Sequence, residues 1–536
     1  MLFSSPIFLF AFLPVTLAGY YLLDRKFKNI FLLIMSLIFY AWGEPKFIFI
    51  MLISIMVNWL FGLAVDKFRD NKRAAHGYLT LMVLWNVSIF FVYKYLNFTI
   101  TNVNALFGTT FPLTKFVLPI GISFFTFQAM SYVIDVYRGN GSVQKNPLNV
   151  ALYITFFPQL IAGPIVRYET VANEIKNRKE TLDDFSLGIK RFIYGLSKKL
   201  ILSNLAAAAA DKAFELTDYS GVSAAMAWFC ALCYSLQILF DFSGYSDMAI
   251  GLGLMFGFHF DENFNYPYCS ASVSEFWRRW HISLGTWFRD YVYFPLGGSR
   301  VSSKGRLVFN LFVVWMLTGI WHGASWNYVA WGFFYFVLLT FEKLTGIPKK
   351  LAHTWQRVLY RIFTLLCVMF GWVVFRAPGL KMGLSYIRSM FCLNGNAFAD
   401  TASLNLIGSY ALVAVLGIIF CMPVAGFVRK KIPENPKAQL AAEICTRVIC
   451  LVLLAISCSF AVSSSYNPFI YFNFSGGRYY EQEAEYNIYL RILRRTCDTC
   501  CLAELRKAYL RYRKQNAGGV SERSGRGQKV QQGIFL

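Results

Sequence analysis

Phe47-Ile48-Phe49-Ile50-Met51-Leu52-Ile53-Ser54-Ile55-Met56-Val57-Asn58-Trp59-Leu60-Phe61-Gly62-Leu63-Ala64-Val65 is a run of nineteen residues without a charge. A strand seldom exceeds about ten residues, whereas about twenty apolar residues in a helix cross the hydrocarbon core of a bilayer. The run therefore reads as a membrane span. Outward from it, comparable segments recur at Ile7 to Leu23, Ile30 to Trp42, Tyr78 to Phe98, Phe116 to Ile134, Val150 to Ile165, Phe192 to Ala210 and Val222 to Leu239. They continue at Leu307 to Ile320, Tyr328 to Phe341, Val358 to Phe375, Leu406 to Phe420 and Val448 to Val462. Several are too short to cross alone, and broken apolar segments survive at membrane depth only where protein buries them or they line a cavity. The chain reads as an all-α polytopic membrane protein with about 11 spans plus re-entrant pieces.

Composition agrees. Hydrophobic residues make up 56% of the 536 and charged residues only 15%, with a mean hydropathy of +0.45, which excludes a soluble globular enzyme. The formal charge of +23 would suggest nucleic-acid binding in a soluble chain. Here the Lys and Arg flank apolar segments, where they set orientation and meet anionic lipid headgroups. Arg25, Lys26 and Lys28 form one basic loop and Lys67, Arg69, Lys72 and Arg73 another. Two apolar segments separate them, so both loops read as cytoplasmic and the N-terminus as outside. Ile7 to Leu23 lacks a basic leader and a small-residue cleavage site, and reads as a retained span. From Ser475 the chain turns polar and basic, with twelve Lys/Arg against six Asp/Glu. We divide it into a membrane domain at 1–474 and a low-complexity tail at 475–536 that contributes nothing to the core. Cys497, Cys500 and Cys501 in the tail lack the second Cys/His pair of a zinc site.

Ionisable residues at membrane depth are functional candidates by default. His322 lies in Thr318-Gly319-Ile320-Trp321-His322-Gly323-Ala324-Ser325-Trp326-Asn327, a small-residue break between two apolar runs. Trp321 and Trp326 are expected to flank it and keep it poorly hydrated, which leaves a neutral imidazole able to take a proton. A histidine that only bonds a neighbouring helix is the competing reading. His281 follows Ser272-Val273-Ser274-Glu275-Phe276-Trp277-Arg278-Arg279-Trp280. Ser272 and Glu275 form a capping box and Glu275 with Arg279 an i, i+4 pair. Trp277, Trp280, His281, Leu284 and Phe288 then share one face of a helix expected to lie in the membrane plane. Asp241 and Asp247 interrupt an apolar run, and are expected to cap broken helix ends or pair with Arg278 and Arg279. Pro158 and Pro164 predict a bend near Phe157 to Ile165. His259 is expected to be structural, and His76 and His353 solvated.

Taken in order, Phe39-Tyr40-Ala41-Trp42-Gly43, Leu118-Pro119-Ile120-Gly121 through Gln128, Gly163-Pro164-Ile165, Asp241 to Gly251, Glu275 to His281, Trp321-His322-Gly323 and Trp372 to Arg376 resemble the membrane-bound O-acyltransferase (MBOAT) superfamily. Within it the likeness is to the branch of bacterial alginate O-acetyltransferase membrane subunits and related peptidoglycan and exopolysaccharide O-acetylation proteins. It covers roughly Met1 to Phe474. The resemblance implies a ring of helices around a tunnel in the bacterial plasma membrane, with His322 catalytic at its narrow point and His281 on the same route. Trp321, Trp326, Asp241, Asp247, Trp277, Arg278, Arg279, Trp280 and Gln128 are the accompanying lining candidates. It further implies an acyl thioester, acetyl-CoA, as co-substrate, no bound metal or cofactor, a polysaccharide or cell-wall acceptor, and a separate extracytoplasmic acyltransferase of Ser-His-Asp (SGNH) type as partner. The competing class is a transporter or flippase with a proton-relay histidine, against which stand the scarcity of buried carboxylates and the absence of a visible inverted repeat. A lipid-linked glycosyltransferase would want a paired acidic motif in the outer loops, which the first of them lack.

Overall fold

The structure is a computed structural model that describes residues 1–216, 218–463 and 469–470. The tail, with its Cys497, Cys500 and Cys501 cluster, lies outside them. The described residues are helical throughout apart from connecting loops. The chain opens with α1 (Phe8–Leu22), then α2 (Arg25–Gly43), α3 (Ile48–Lys67) and the long α4 (Lys72–Phe107). Since α2 starts and α3 ends at a basic loop, both loops fall at one end of the hairpin, as the parity argument requires. After α5 (Ile122–Arg138) come α6 (Leu182–Ser197) and α7 (Ala224–Met255), the short α8 (Val273–Arg279) and α9 (Ile282–Phe288), and the hairpin of α10 (Lys304–His322) and α11 (Trp326–Thr345). Helices α12 (Thr354–Arg376), α13 (Thr401–Phe420) and α14 (Pro436–Ser463) follow.

Seven of these, α2, α3, α4, α7, α12, α13 and α14, are long and apolar enough to cross a membrane. Helices α10 and α11 match them in length at 19 and 20 residues but are less apolar. The expected total of about 11 is therefore an upper count that length and composition do not reach. The Pro-rich stretch bends as expected: a helix at Pro147–Thr155 gives way to one turn at Phe157–Leu160.

Helix α7 is the central pillar. Of its most apolar window 72% is buried, against 11% for α4 and 17% for each of α13 and α14. Burial on all sides demands close neighbours, and glycine supplies them. A Cβ on Gly195 of α6 would lie 2.5 Å from the Gly244 carbonyl of α7, and one on Gly188 would lie 2.6 Å from that of Gly251. Small residues seven apart on two antiparallel helices let the backbones touch, the usual device where water supplies no driving force between helices.

That contact also corrects an expectation. Asp241 and Asp247 do not break α7, which runs through them for 32 residues, and neither meets Arg278 or Arg279. Lys199, just beyond α6, pairs with Asp241, and Ser203 and the Ile470 amide also donate to that carboxylate, at 3.2 and 2.6 Å. Asp247 is held by Arg191 at 3.0 Å and Lys198 at 2.6 Å. With cations delivered from the adjacent helix, the carboxylates need no helix end to satisfy them.

Two outcomes follow. Lys199→Met strands the Asp241 carboxylate, which is 1% exposed, and should cost about 3–5 kcal/mol, seen as a lower melting temperature in detergent. Lys199→Met with Asp241→Asn should recover most of it. His259, beyond the end of α7, pairs with Glu174 at 2.8 Å and Asp184 at 3.4 Å. Partial burial works against its imidazolium, but the two carboxylates outweigh that and raise its pKa above the ordinary 6.5. The stabilisation is thus complete below about pH 6.5 and is lost as pH rises through the raised value. Melting temperature measured across that window should fall in the parent protein and less in His259→Gln.

Candidate active site

Helix α10 ends at His322, and its geometry is set by another glycine contact. A Cβ on Gly319 would lie 2.5 Å from the Tyr328 carbonyl and 3.1 Å from the Gly332 Cα of α11. The close hairpin sets Trp331 beside the imidazole: ring centroids are 5.0 Å apart at near right angles. Trp321 stands at 5.0 Å and Phe375 of α12 at 5.1 Å. The partners therefore differ in part from those expected. Trp326 is 56% exposed, and its indole donates to Asn102 on α4; Trp331 and Phe375 complete the aromatic box in its place. Trp326 begins α11 and so faces outward, while Trp331 lies more than a turn further along.

His281 reaches the same place from the other side. Its ring lies 6.3 Å from that of Trp321 and 4.6 Å from Phe242 of α7, and the residue is 3% exposed. Both imidazoles thus pack against Trp321. The helix expected to carry His281 on one continuous face is in fact two. Ser272 caps α8 through the Glu275 amide and Glu275 pairs with Arg279 at 2.7 Å, as expected, but the Glu275 carboxylate accepts from the Ala271 amide and not from that of Ser272, so the capping box is half formed. The helix then stops at Arg279 and restarts at Ile282, with His281 in the left-handed region at φ +48°. Backbone pairing accounts for the break: the Asn265 amide donates to Arg279 O, and the Ile282 amide to Asn263 O, at 2.9 and 3.0 Å. Strained backbone of this kind persists where its surroundings fix it.

The tryptophans of α8 also differ from expectation. They pack against other rings of the protein: Trp280 is 4% exposed and lies 4.7 Å from Trp372, and Trp277 lies 4.9 Å from Trp315 and 4.8 Å from Tyr335. Glu342 of α11 fixes the α8 N-terminus by accepting from the Val273 and Ser274 amides, each at 2.8 Å, a favourable place for a carboxylate. Arg278 is exposed on the opposite side. Of the lining candidates the structure brings Trp321 against both histidines, and Gln128 follows Phe127, whose ring lies 5.6 Å from Trp321. Both polar atoms of the Gln128 amide are buried without a partner, as suits a side chain that meets a bound molecule. Asp241 and Asp247 lie in the α6–α7 contact, where Asp241 lines a small cavity with Lys199, Tyr245 and Phe469.

Three residues near the histidines, Lys94, Tyr95 and Asn263, are missing from the sequence reading. Lys94 sits in a π-helical turn of α4, Phe91–Tyr95, and donates to the Trp321 carbonyl; Tyr95 donates to that of Ile320 at 2.7 Å. Together they hold the exposed carbonyl end of α10, where a cation is favoured. The signal was available, because Lys94 is the one charge in Tyr78 to Phe98. Asn263, fully buried, carries no comparable signal. Among the described residues no group of three or more His, Cys, Asp and Glu is gathered that could hold a metal ion. What the geometry offers is two imidazoles in aromatic surroundings, groups of the kind that take and return a proton.

Comparison with known proteins places this geometry. Residues 38–387 match MBOAT, the membrane-bound O-acyltransferase family. A probable alginate O-acetylase of Azotobacter vinelandii is 38% identical over 508 residues, covering 88% of this chain and 100% of the relative. A peptidoglycan O-acetyltransferase of Helicobacter pylori is 34% identical over 522 residues, covering 88% and 98%. A teichoic acid D-alanyltransferase of Bacillus subtilis is 32% identical over 280 residues, covering 48% and 68%. The stretch that matches the family carries both histidines, the α10–α11 hairpin and the α6–α7 contact, and the chain belongs to the membrane-bound O-acyltransferase family.

Proposed function

We propose that this protein moves an acetyl group from cytoplasmic acetyl-CoA across the plasma membrane for O-acylation of an extracytoplasmic polysaccharide or cell-wall polymer. The observation that carries the reading is the pair of imidazoles that both pack against Trp321, with aromatic rings around them. Relatives named for alginate and peptidoglycan O-acetylation support the acceptor class. A transporter reading has no observation of its own, since the buried Asp241 and the half-buried Asp247 are committed to ion pairs.

In this reading a hydroxyl enters beside His322, which is less buried than His281 and so the first imidazole it meets. His322 takes the hydroxyl proton as the oxygen bonds to the thioester carbonyl carbon. The C–S bond then breaks, and the thiolate leaves with the proton that the imidazolium returns. Nothing is oxidised or reduced, and the base is regenerated. His281 lines the same pocket. Residues 1–474 form the working domain, and the tail at 475–536 is dispensable.

His322→Ala should abolish acylation while inserting at near-normal levels, measured by O-acetyl content of extracellular polymer and by membrane immunoblot. Acylation at the parent rate in a normally inserted variant would remove His322 from the reaction. His281→Ala should be equally or less impaired; if it alone is inactive, the two histidines exchange roles.

No described loop folds into a domain able to hold a polymer, so we further assign the final transfer to a separate SGNH-type acyltransferase. The purified chain in liposomes should consume acetyl-CoA slowly with water or small hydroxyl acceptors. It should leave external polymer unmodified until that partner is added. Efficient acetylation of polymer by the chain alone would contradict the relay.

A further inference from the structure

We propose that Asn263 is a positioning residue for His281, fixing the tautomer in which Nδ1 carries the proton and Nε2 is presented to the pocket as an acceptor. The inference deepens the acyl-transfer reading and rests on it for the use to which that acceptor is put.

The argument begins with the backbone. The Ser283 amide, a donor by necessity, points at Asn263 Oδ1 at 3.2 Å, so that atom of the side-chain amide is the oxygen. The opposite end agrees: Asn263 Nδ2 donates to Ser246 Oγ of α7 at 3.0 Å. The Ser283 hydroxyl also donates to Oδ1, at 2.9 Å, while accepting from the Ile165 amide at 3.0 Å. His281 Nδ1 lies 3.1 Å from the same oxygen. A carbonyl oxygen has no proton to give, so Nδ1 must supply it. In a neutral imidazole one nitrogen donates and the other accepts, which leaves Nε2 as the acceptor. That nitrogen is buried and has no partner.

A buried acceptor without a donor is costly unless a ligand supplies one. The neighbours on the protein side do not. Phe242 of α7 and Trp321 of α10 present rings, and Asp241, one residue before Phe242, is engaged by Lys199. His322 is the titratable group that faces His281 from α10, and Lys94 of α4 lies against Trp321 and near His322. The donor for Nε2 is therefore a substrate O–H or N–H, or the proton moved during transfer. The pairing of residues 263–265 with 279–282 holds the His281 backbone, and the Asn263 bond and the Phe242 ring hold its side chain.

Three measurements on the full-length protein in liposomes test this. Consumption of acetyl-CoA by Asn263→Ala should show kcat reduced about 10- to 100-fold, as when the partner that orients a histidine is removed, with KM for acetyl-CoA within about twofold. Asn263→Asp keeps every accepted hydrogen bond and adds a charge beside the imidazole. It should restore activity and move the acid limb of the pH profile up by about one unit. In a His281→Ala background neither variant should cost more. Imidazole 15N spectra of histidine-labelled protein, differenced against His281→Ala, should show a protonated Nδ1 and a bare Nε2.

The opposite tautomer in the parent protein overturns the proposal whether or not acetyl-CoA is consumed. So does Asn263→Asp with the parent pH profile, or an Asn263→Ala loss that persists undiminished without His281. If Asn263→Ala fails to insert, Asn263→Asp and the spectra decide. An inactive parent protein with the assigned tautomer would overturn the acyl-transfer reading and leave the positioning role standing.

Discussion

The structure depends on the contact between α6 and α7. Four glycines, at 188, 195, 244 and 251, bring the two backbones together, and the same approach places Lys199, Lys198 and Arg191 within reach of Asp241 and Asp247. In a bilayer neither carboxylate could be left to solvent, so the packing of small residues and the pairing of charges are one constraint seen from two sides. Its consequences reach the site. With α7 fixed, Phe242 stands against His281 and Ser246 receives the Asn263 amide. One turn of a buried helix thereby seats both the ring beside the imidazole and the residue that orients it.

Much of this was legible in the sequence, for identifiable reasons. Uncharged runs of span length announce themselves, and the Ser272 cap and the Glu275–Arg279 pair are local, so spacing alone finds them. His322 stood out because small residues interrupt two apolar runs around it. What spacing could not show is tertiary. Asp241 and Asp247 look like breaks until Lys199 and Arg191 are known to face them from another helix. Trp326 and Trp331 are equally plausible companions of His322 until the Gly319–Gly332 contact sets the hairpin. The restart of the chain at His281 comes from residues 263–265, some sixteen positions away, and Asn263 is silent because an asparagine in a loop is ordinary until its partners are seen.

The pocket is unusual in what surrounds its two histidines. Rings make the walls, with Trp321, Trp331 and Phe375 on one imidazole and Phe242 on the other, while Lys94 touches the end of α10 and not a carboxylate. A dry enclosure with proton acceptors and few fixed charges suits transfer of a neutral acyl group to a hydroxyl, where charge appears only in passing. The same walls would resist a standing ion, which bears against the site as a conduit for charged solutes.

The central claim of the proposed reading is that acyl transfer takes place beside His322, with His281 lining the same site. A structure of the protein bound to a non-hydrolysable acetyl-CoA analogue tests it directly. The account predicts the acyl carbonyl beside Trp321, leaving room for a hydroxyl oxygen within about 3–3.5 Å of the carbon and in reach of a histidine nitrogen. An acyl group bound elsewhere, with His281 and His322 facing only protein, would contradict it.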